Sequence, residues 1–281
     1  MRSRLQAPPA FASDAARRSG LRARVVSAVV AVPLLFAAGW FGFPWLSIAV
    51  ALAALLGAME LNSILKVSNV RTWLYGAGWA VGMVALAHFD RKHALPVITA
   101  AVVFALIWQM AVPARRRSPA EWLVMLGAPL YLGWLLAHFV YLRDLDHGRE
   151  WVMFALFATF ACDTSAYAVG RAAGRHRLAP ALSPSKTWEG AAGGVAGAVL
   201  IALIMGWAFD LPVSQAHAAM MGLLVGLFAQ LGDLAESTLK RSGQVKDAGA
   251  LIPGHGGILD RLDSLVFAVV VVYYYLDWML A

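Results

Sequence analysis

Two short sets of polar residues stand beside apolar runs, and their spacing suits chemistry. Asp233, Glu236, Ser237 and Lys240 fall at i, i+3, i+4 and i+7, which is one face of a helix. Asp260, Asp263 and Ser264 repeat the i, i+3, i+4 spacing. A Gly/Pro-rich loop between the sets lets Asp233, Asp260 and Asp263 converge. Three neighbouring carboxylates repel one another and call for a cation. A hard divalent ion such as Mg²⁺ takes oxygen ligands and keeps positions for water and substrate phosphate. These three aspartates form the expected metal set, with a second cation left open, and Lys240 joins them as a catalytic candidate. Lys240, Arg241, Lys246 and Arg261 suit polyanionic phosphates. Acids and bases mixed around a metal fit transfer at phosphorus, where cations stabilise developing charge. The competing reading of any single pair is a helix-end ion pair of small energetic consequence.

Between the two sets, Pro253-Gly254-His255-Gly256-Gly257 makes a compact turn. Its glycines permit positive φ and close backbone approach, and successive amides can cradle phosphate. His255 is either a proton carrier or a structural histidine. An earlier stretch, Cys162 to Gly190, begins with Asp163 and Tyr167 on one helix face and ends at Glu189. Within it, Ser183-Pro184-Ser185-Lys186-Thr187 offers hydroxyls flanking a lysine. It lacks the glycines and preceding strand of a Walker loop, so a P-loop fold is rejected. Arg175 and Arg177 read as membrane-surface anchors. Glu60 is an isolated acid in an apolar run; it is either functional or snorkelling, and no role is assigned to it.

The elements that must position these residues are membrane helices. The 281 residues are 60% hydrophobic and 14% charged, against roughly 25% charged in soluble domains, and the mean hydropathy is +0.67. The apolar residues come in long runs, and a helix crosses the bilayer core in about 20 residues. Nine candidate spans follow: 25–41, 44–65, 72–89, 94–112, 122–142, 150–169, 190–209, 217–235 and 262–280. With a cytosolic N-terminus, 19 of the 23 Lys and Arg residues fall on the cytosolic side, as the positive-inside rule requires. The expected architecture is therefore an all-α polytopic integral membrane protein. A cytosolic basic arm, 1–24, precedes N-terminal transmembrane helices, 25–149, and a C-terminal transmembrane catalytic region, 150–281. Glycine pairs such as Gly78/Gly82, Gly190/Gly194 and Gly222/Gly226 permit close helix approach. The single cysteine, Cys162, excludes an intramolecular disulfide framework and a Cys-based zinc site. No nucleic-acid signature appears, despite a net charge of +7.

The run Ser237-x-Leu239-Lys240-Arg241, Lys246-Asp247, Pro253-Gly254-His255-Gly256-Gly257, Asp260-Arg261-x-Asp263 closely resembles the signature of phosphatidate cytidylyltransferases (CDP-diacylglycerol synthases). Asp163-Thr164-x-Ala166-Tyr167 and Ser183-Pro184-x-Lys186-Thr187-x-Glu189-Gly190 resemble the same family, and the multi-span layout does so across most of the chain. Ser185 departs from relatives that look more basic there. The resemblance implies a homodimeric, Mg²⁺-dependent enzyme of the bacterial cytoplasmic (inner) membrane, its active site facing the cytosol. CTP and phosphatidate would give CDP-diacylglycerol and pyrophosphate. It implies substrate binding by Asp163, Ser183, Lys186, Thr187, Glu189, Arg241, Lys246, Asp247, His255, Gly256, Gly257 and Arg261. A CTP-using lipid kinase, such as a polyprenol kinase, is the nearest alternative. An anion transporter is a more distant one, since transporters place charge near the midplane and often show repeats.

Overall fold

The computed structural model describes residues 29, 31–111, 118–249 and 256–279. The basic arm, 1–24, and the turn residues Pro253, Gly254 and His255 lie outside them. Described helices run α1 (Ala31–Phe41), α2 (Trp45–Ile64), α3 (Val70–Phe89), α4 (Ala94–Ala111), α5 (Pro119–Gly127), α6 (Leu135–Arg143), α7 (Gly148–Ala173), α8 (Trp188–Ala208), α9 (Gln215–Ser242) and α10 (Leu259–Met279). A π-helical stretch, Ala128–Trp134, joins α5 and α6 into one rod. Pro129 opens it, and proline has no N–H to continue the i→i−4 ladder.

Six of these rods are long and apolar enough to cross a bilayer: α2, α5–α6, α7, α8, α9 and α10. The shorter α1 and α4 are apolar as well. α3 has 20 residues, but Arg71, Thr72, His88 and three glycines dilute its apolar character. The chain is thus a helical membrane protein.

Capping residues set the span ends. Asn69 Oδ1 accepts from Arg71 N, Thr187 Oγ1 from Gly190 N, and Ser214 Oγ from His217 N. Each cap lies just under one turn ahead of its apolar run, so these helices begin before the limits that hydropathy alone suggests.

One element departs from all-α. Strands β1 (Arg177–Ala179) and β2 (Ser183–Thr187) pair antiparallel, with Arg177 opposite Thr187 and Ala179 opposite Ser183. The Ser183–Thr187 segment, expected to be an irregular cytosolic stretch, is a strand that runs directly into α8.

Tight seams fix the C-terminal bundle. Along α7 and α8, Gly190 lies against Gly170 and the Ala166 carbonyl, and Gly194 against Cys162. Gly222 and Gly226 of α9 sit on Val199 and Val195 of α8. A side chain at these glycines would collide with backbone, so the helices approach as small-residue seams allow. Gly78 and Gly82, by contrast, face open space and mediate no such contact. Cys162 is fully buried in the core.

Candidate active site

The two acidic helix faces meet because α9 and α10 approach closely at Gly232. A Cβ there would strike the Asp263 carbonyl and the Phe267 ring. That closeness brings Asp233, on the next residue of α9, alongside Asp263 of α10. Asp233, Glu236 and Asp263 each offer a carboxylate oxygen within 4.8 Å of the other two. Glu236 is only 1% exposed.

Two lysines compensate the acids. Lys240 Nζ lies 2.5 Å from Glu236 Oε2 and 2.6 Å from Asp260 Oδ1. Lys186 Nζ, carried by β2, lies 2.7 Å from Asp233 Oδ2. The second oxygen of Asp260 accepts from Gly257 N at 2.8 Å and Ala248 N at 3.0 Å. Asp260 thus ties Lys240 to the loop. It sits beside the carboxylate trio, and Glu236 occupies the third corner that spacing suggested for Asp260.

A cleft of about 700 Å³ opens beside this cluster. Asp163, Lys186, Thr187, Asp233, Asp260, Arg261, Asp263 and Ser264 line it. Tyr167 and Arg171 of α7 and Arg177 of β1 form further wall, and Arg171 Nη1 donates to the Tyr167 hydroxyl at 2.9 Å. Ser264 Oγ donates to Asp163 at 3.4 Å, linking α10 to α7. Gln230 holds α9 to α8 by donating to the Ala191 carbonyl at 3.1 Å. The cleft joins oxygen ligands suited to a hard cation to a set of Lys and Arg suited to phosphate.

The remaining sequence candidates fall around this centre. Ser183 begins β2, and the cleft is lined by Ser185, Lys186 and Thr187 further along the strand. Glu189 turns from the cleft to the hairpin base, accepting from Arg175 N at 3.1 Å and facing His176 Nδ1 at 2.6 Å. Arg241 Nε donates to the Leu182 carbonyl at 3.2 Å, so it bridges α9 to the hairpin turn. Lys246 and Asp247 are exposed on the loop after α9. Gly256 adopts φ +81°, and a Cβ there would meet Asp260 Oδ2; both the backbone and the carboxylate require glycine. His255 lies outside the described residues. Spacing showed Glu236 on the Asp233 face without assigning it a role. Arg177, expected to be a membrane-surface anchor, lines the cleft together with Arg171 and Gln230; only the fold turns these three into one cavity.

A bundle of membrane helices whose ends gather acidic and basic side chains around one cleft defines a membrane-embedded enzyme class acting on phosphate-bearing substrates. Residues 22–279 match the model of the cytidylyltransferase family. A phosphatidate cytidylyltransferase of Synechocystis sp. is 32% identical, the match covering 90% of this chain and 95% of that protein. One of Brucella abortus is 35% identical over 91% of this chain and 93% of that protein. A Bacillus subtilis phosphatidate cytidylyltransferase is 41% identical over 150 residues, 56% of its own length. The chain belongs to the cytidylyltransferase family.

Proposed function

We propose that this chain transfers CMP from CTP to phosphatidate, forming CDP-diacylglycerol and releasing pyrophosphate. One observation carries the reading: Lys186, Arg261 and the carboxylates of Asp233, Asp260 and Asp263 line one cleft at the ends of membrane helices, with Lys240 paired to Asp260 and Glu236 beside it, in a chain similar over nine-tenths of its length to phosphatidate cytidylyltransferases.

A phosphatidate oxygen attacks the α-phosphorus of CTP. One P–O bond forms, and the bond to the β-phosphate oxygen breaks. A phosphate monoester has its second pKa at about 6, so the nucleophile is already ionised at neutral pH. Positioning and charge neutralisation then dominate the rate. Lys186 and Arg261 face the cleft and bind phosphate oxygens. Lys240 is held by Glu236 and Asp260 in one place, and it offers its remaining proton to the transferring or leaving phosphates. Thr187 supplies a hydroxyl donor, while the Ser264 hydroxyl holds Asp163 at the cleft wall. Asp233, Glu236 and Asp263 fit a divalent ion such as Mg²⁺ as hard oxygen ligands; bound there, it would neutralise and align phosphate oxygens. Asp260 orders Lys240 and the loop beside them.

The chain crosses the membrane nine times with a cytosolic N-terminus, in the inner membrane, and pairs with a second copy. The Lys/Arg asymmetry supports the orientation. Among the described residues, six rods are long and apolar enough to cross, and α1, α3 and α4 overlap the remaining apolar runs, which supports the higher count. Lipid tails stay in the bilayer while CTP enters from water.

Purified protein given CTP labelled at the α-phosphate, phosphatidate and Mg²⁺ should yield labelled lipid and unlabelled pyrophosphate. Release of labelled CDP with phosphorylation of the lipid would mark a lipid kinase. Anion uptake into proteoliposomes without CTP would mark a transporter.

A further inference from the structure

The first turn of α10 lacks a cap of its own. Residues 257 and 258 are Gly and Ile, neither of which has a side-chain acceptor. The orphan amides are met from α2. Glu60 Oε1 accepts from Ile258 N and Oε2 from Leu259 N, each at 2.9 Å, across 198 and 199 residues of chain. Glu60 is 6% exposed. A buried carboxylate accepting two amides at a helix start combines capping with a favourable interaction with the helix dipole.

Neighbouring contacts show that α2 grips both described ends of the α9–α10 connection. A Cβ on Gly257 would meet Glu60 Oε2, and one on Gly249 would meet Glu60 Oε1 at 2.9 Å. Gly57, one turn earlier on α2, receives the fully buried Leu259. Gly243, just after α9, lies on the Ile64 carbonyl at the end of α2. The gripped turn carries Asp260, Arg261 and Asp263.

We propose that Glu60 is a positioning residue for the transfer reaction: it clamps the start of α10 and so aims Asp260, Arg261 and Asp263 into the cleft. The proposal rests on the activity assigned above. Among the described residues, the Glu60 carboxylate hydrogen-bonds the Ile258 and Leu259 amides and no side chain of the cleft, so its effect is indirect. Gln has one acceptor oxygen in place of two carboxylate oxygens, and its amide group would face an N–H. Charge-assisted hydrogen bonds of this kind are the stronger ones, and small misplacements of reacting groups are costly in rate.

The test uses the full chain in detergent or vesicles. Glu60→Gln should elute as folded protein, lose about tenfold or more in kcat, and keep its KM for CTP within about twofold. Hydrogen exchange should quicken at Ile258 and Leu259 while the core of α10 stays protected. Gly257→Ala should impair wild type by pushing Glu60 aside, yet add little to Glu60→Ala, where the space is free; such non-additivity reports the contact. Folded Glu60→Gln with kcat within twofold of wild type overturns the proposal. So does unchanged exchange at Ile258 and Leu259, or additive loss in the double variant. If wild type released CDP in place of pyrophosphate, the assigned activity would fall, while the variant-to-wild-type ratios would still judge Glu60.

Discussion

Lys240 faces Glu236 and Asp260 at 2.5 and 2.6 Å, and all three side chains are largely buried. Removing one partner from such a group leaves uncompensated buried charge, at a cost of about 3–5 kcal/mol. Lys240→Met should therefore lower the melting temperature, and its surviving folded fraction should release pyrophosphate at least about 100-fold more slowly, as expected when a charge-stabilising group is lost. Asp260→Asn keeps the shape but weakens the hold on Lys240 and on the Ala248 and Gly257 amides. It should abolish turnover while the protein still elutes as a folded species; near-normal activity would remove Asp260 from the machinery. Glu236→Gln offers the contrasting case. Its loss should raise the Mg²⁺ concentration needed for half-maximal rate, and an unchanged Mg²⁺ response would exclude it as a ligand. The sequence made the acids visible through their helical spacing. It did not reveal that Asp260 turns toward Lys240, because two backbone amides from a loop decide that orientation, and spacing encodes no loop path. Glu60 was visible as an acid in an apolar run, but its partners lie nearly 200 residues away.

At the scale of elements, the α9–α10 seam decides whether Asp233 and Asp263 meet. Gly232→Val should force the helices apart against the Asp263 carbonyl and Phe267. Overpacking of this kind costs about 1–3 kcal/mol, and activity should fall more steeply than stability because both aspartates move; equal losses in thermal midpoint and rate constant would argue against a special role for the seam. The hairpin is the second positioning element. Glu189 accepts from the Arg175 and His176 amides, so Glu189→Ala should loosen the base of β1–β2 and move Lys186. A raised KM for CTP, with the fold intact by circular dichroism, is the expected outcome. Most helices could be read from hydropathy, since the apolar runs coincide with the rods. The hairpin could not. Its strands are short, one contains Pro184, and neither alternates in a way that separates strand from loop. Helix ends such as Thr187 and Ser214 also escaped hydropathy, because capping residues are polar and stand outside the runs they begin.

Across the whole molecule, α2, one of the N-terminal helices, holds with its last two turns the start of α10 that carries cleft residues. Orientation can be checked with the native cysteine in place, since Cys162 is buried and should not react with a membrane-impermeant maleimide. Exposed Lys66 and Lys92 lie on opposite faces in the proposed arrangement. Lys66→Cys should label only from the cytosolic side and Lys92→Cys only from the other; the reverse pattern would invert the topology. The cleft wall formed by the exposed Tyr167 and its Arg171 partner, at the end of a membrane helix, has a kinetic meaning. One reactant arrives by diffusion in a plane and the other through solution. Velocity should therefore follow the fraction of phosphatidate among surrounding lipids, falling when inert phosphatidylcholine is blended in, and stay constant per enzyme when the vesicle suspension is simply thinned with CTP held fixed.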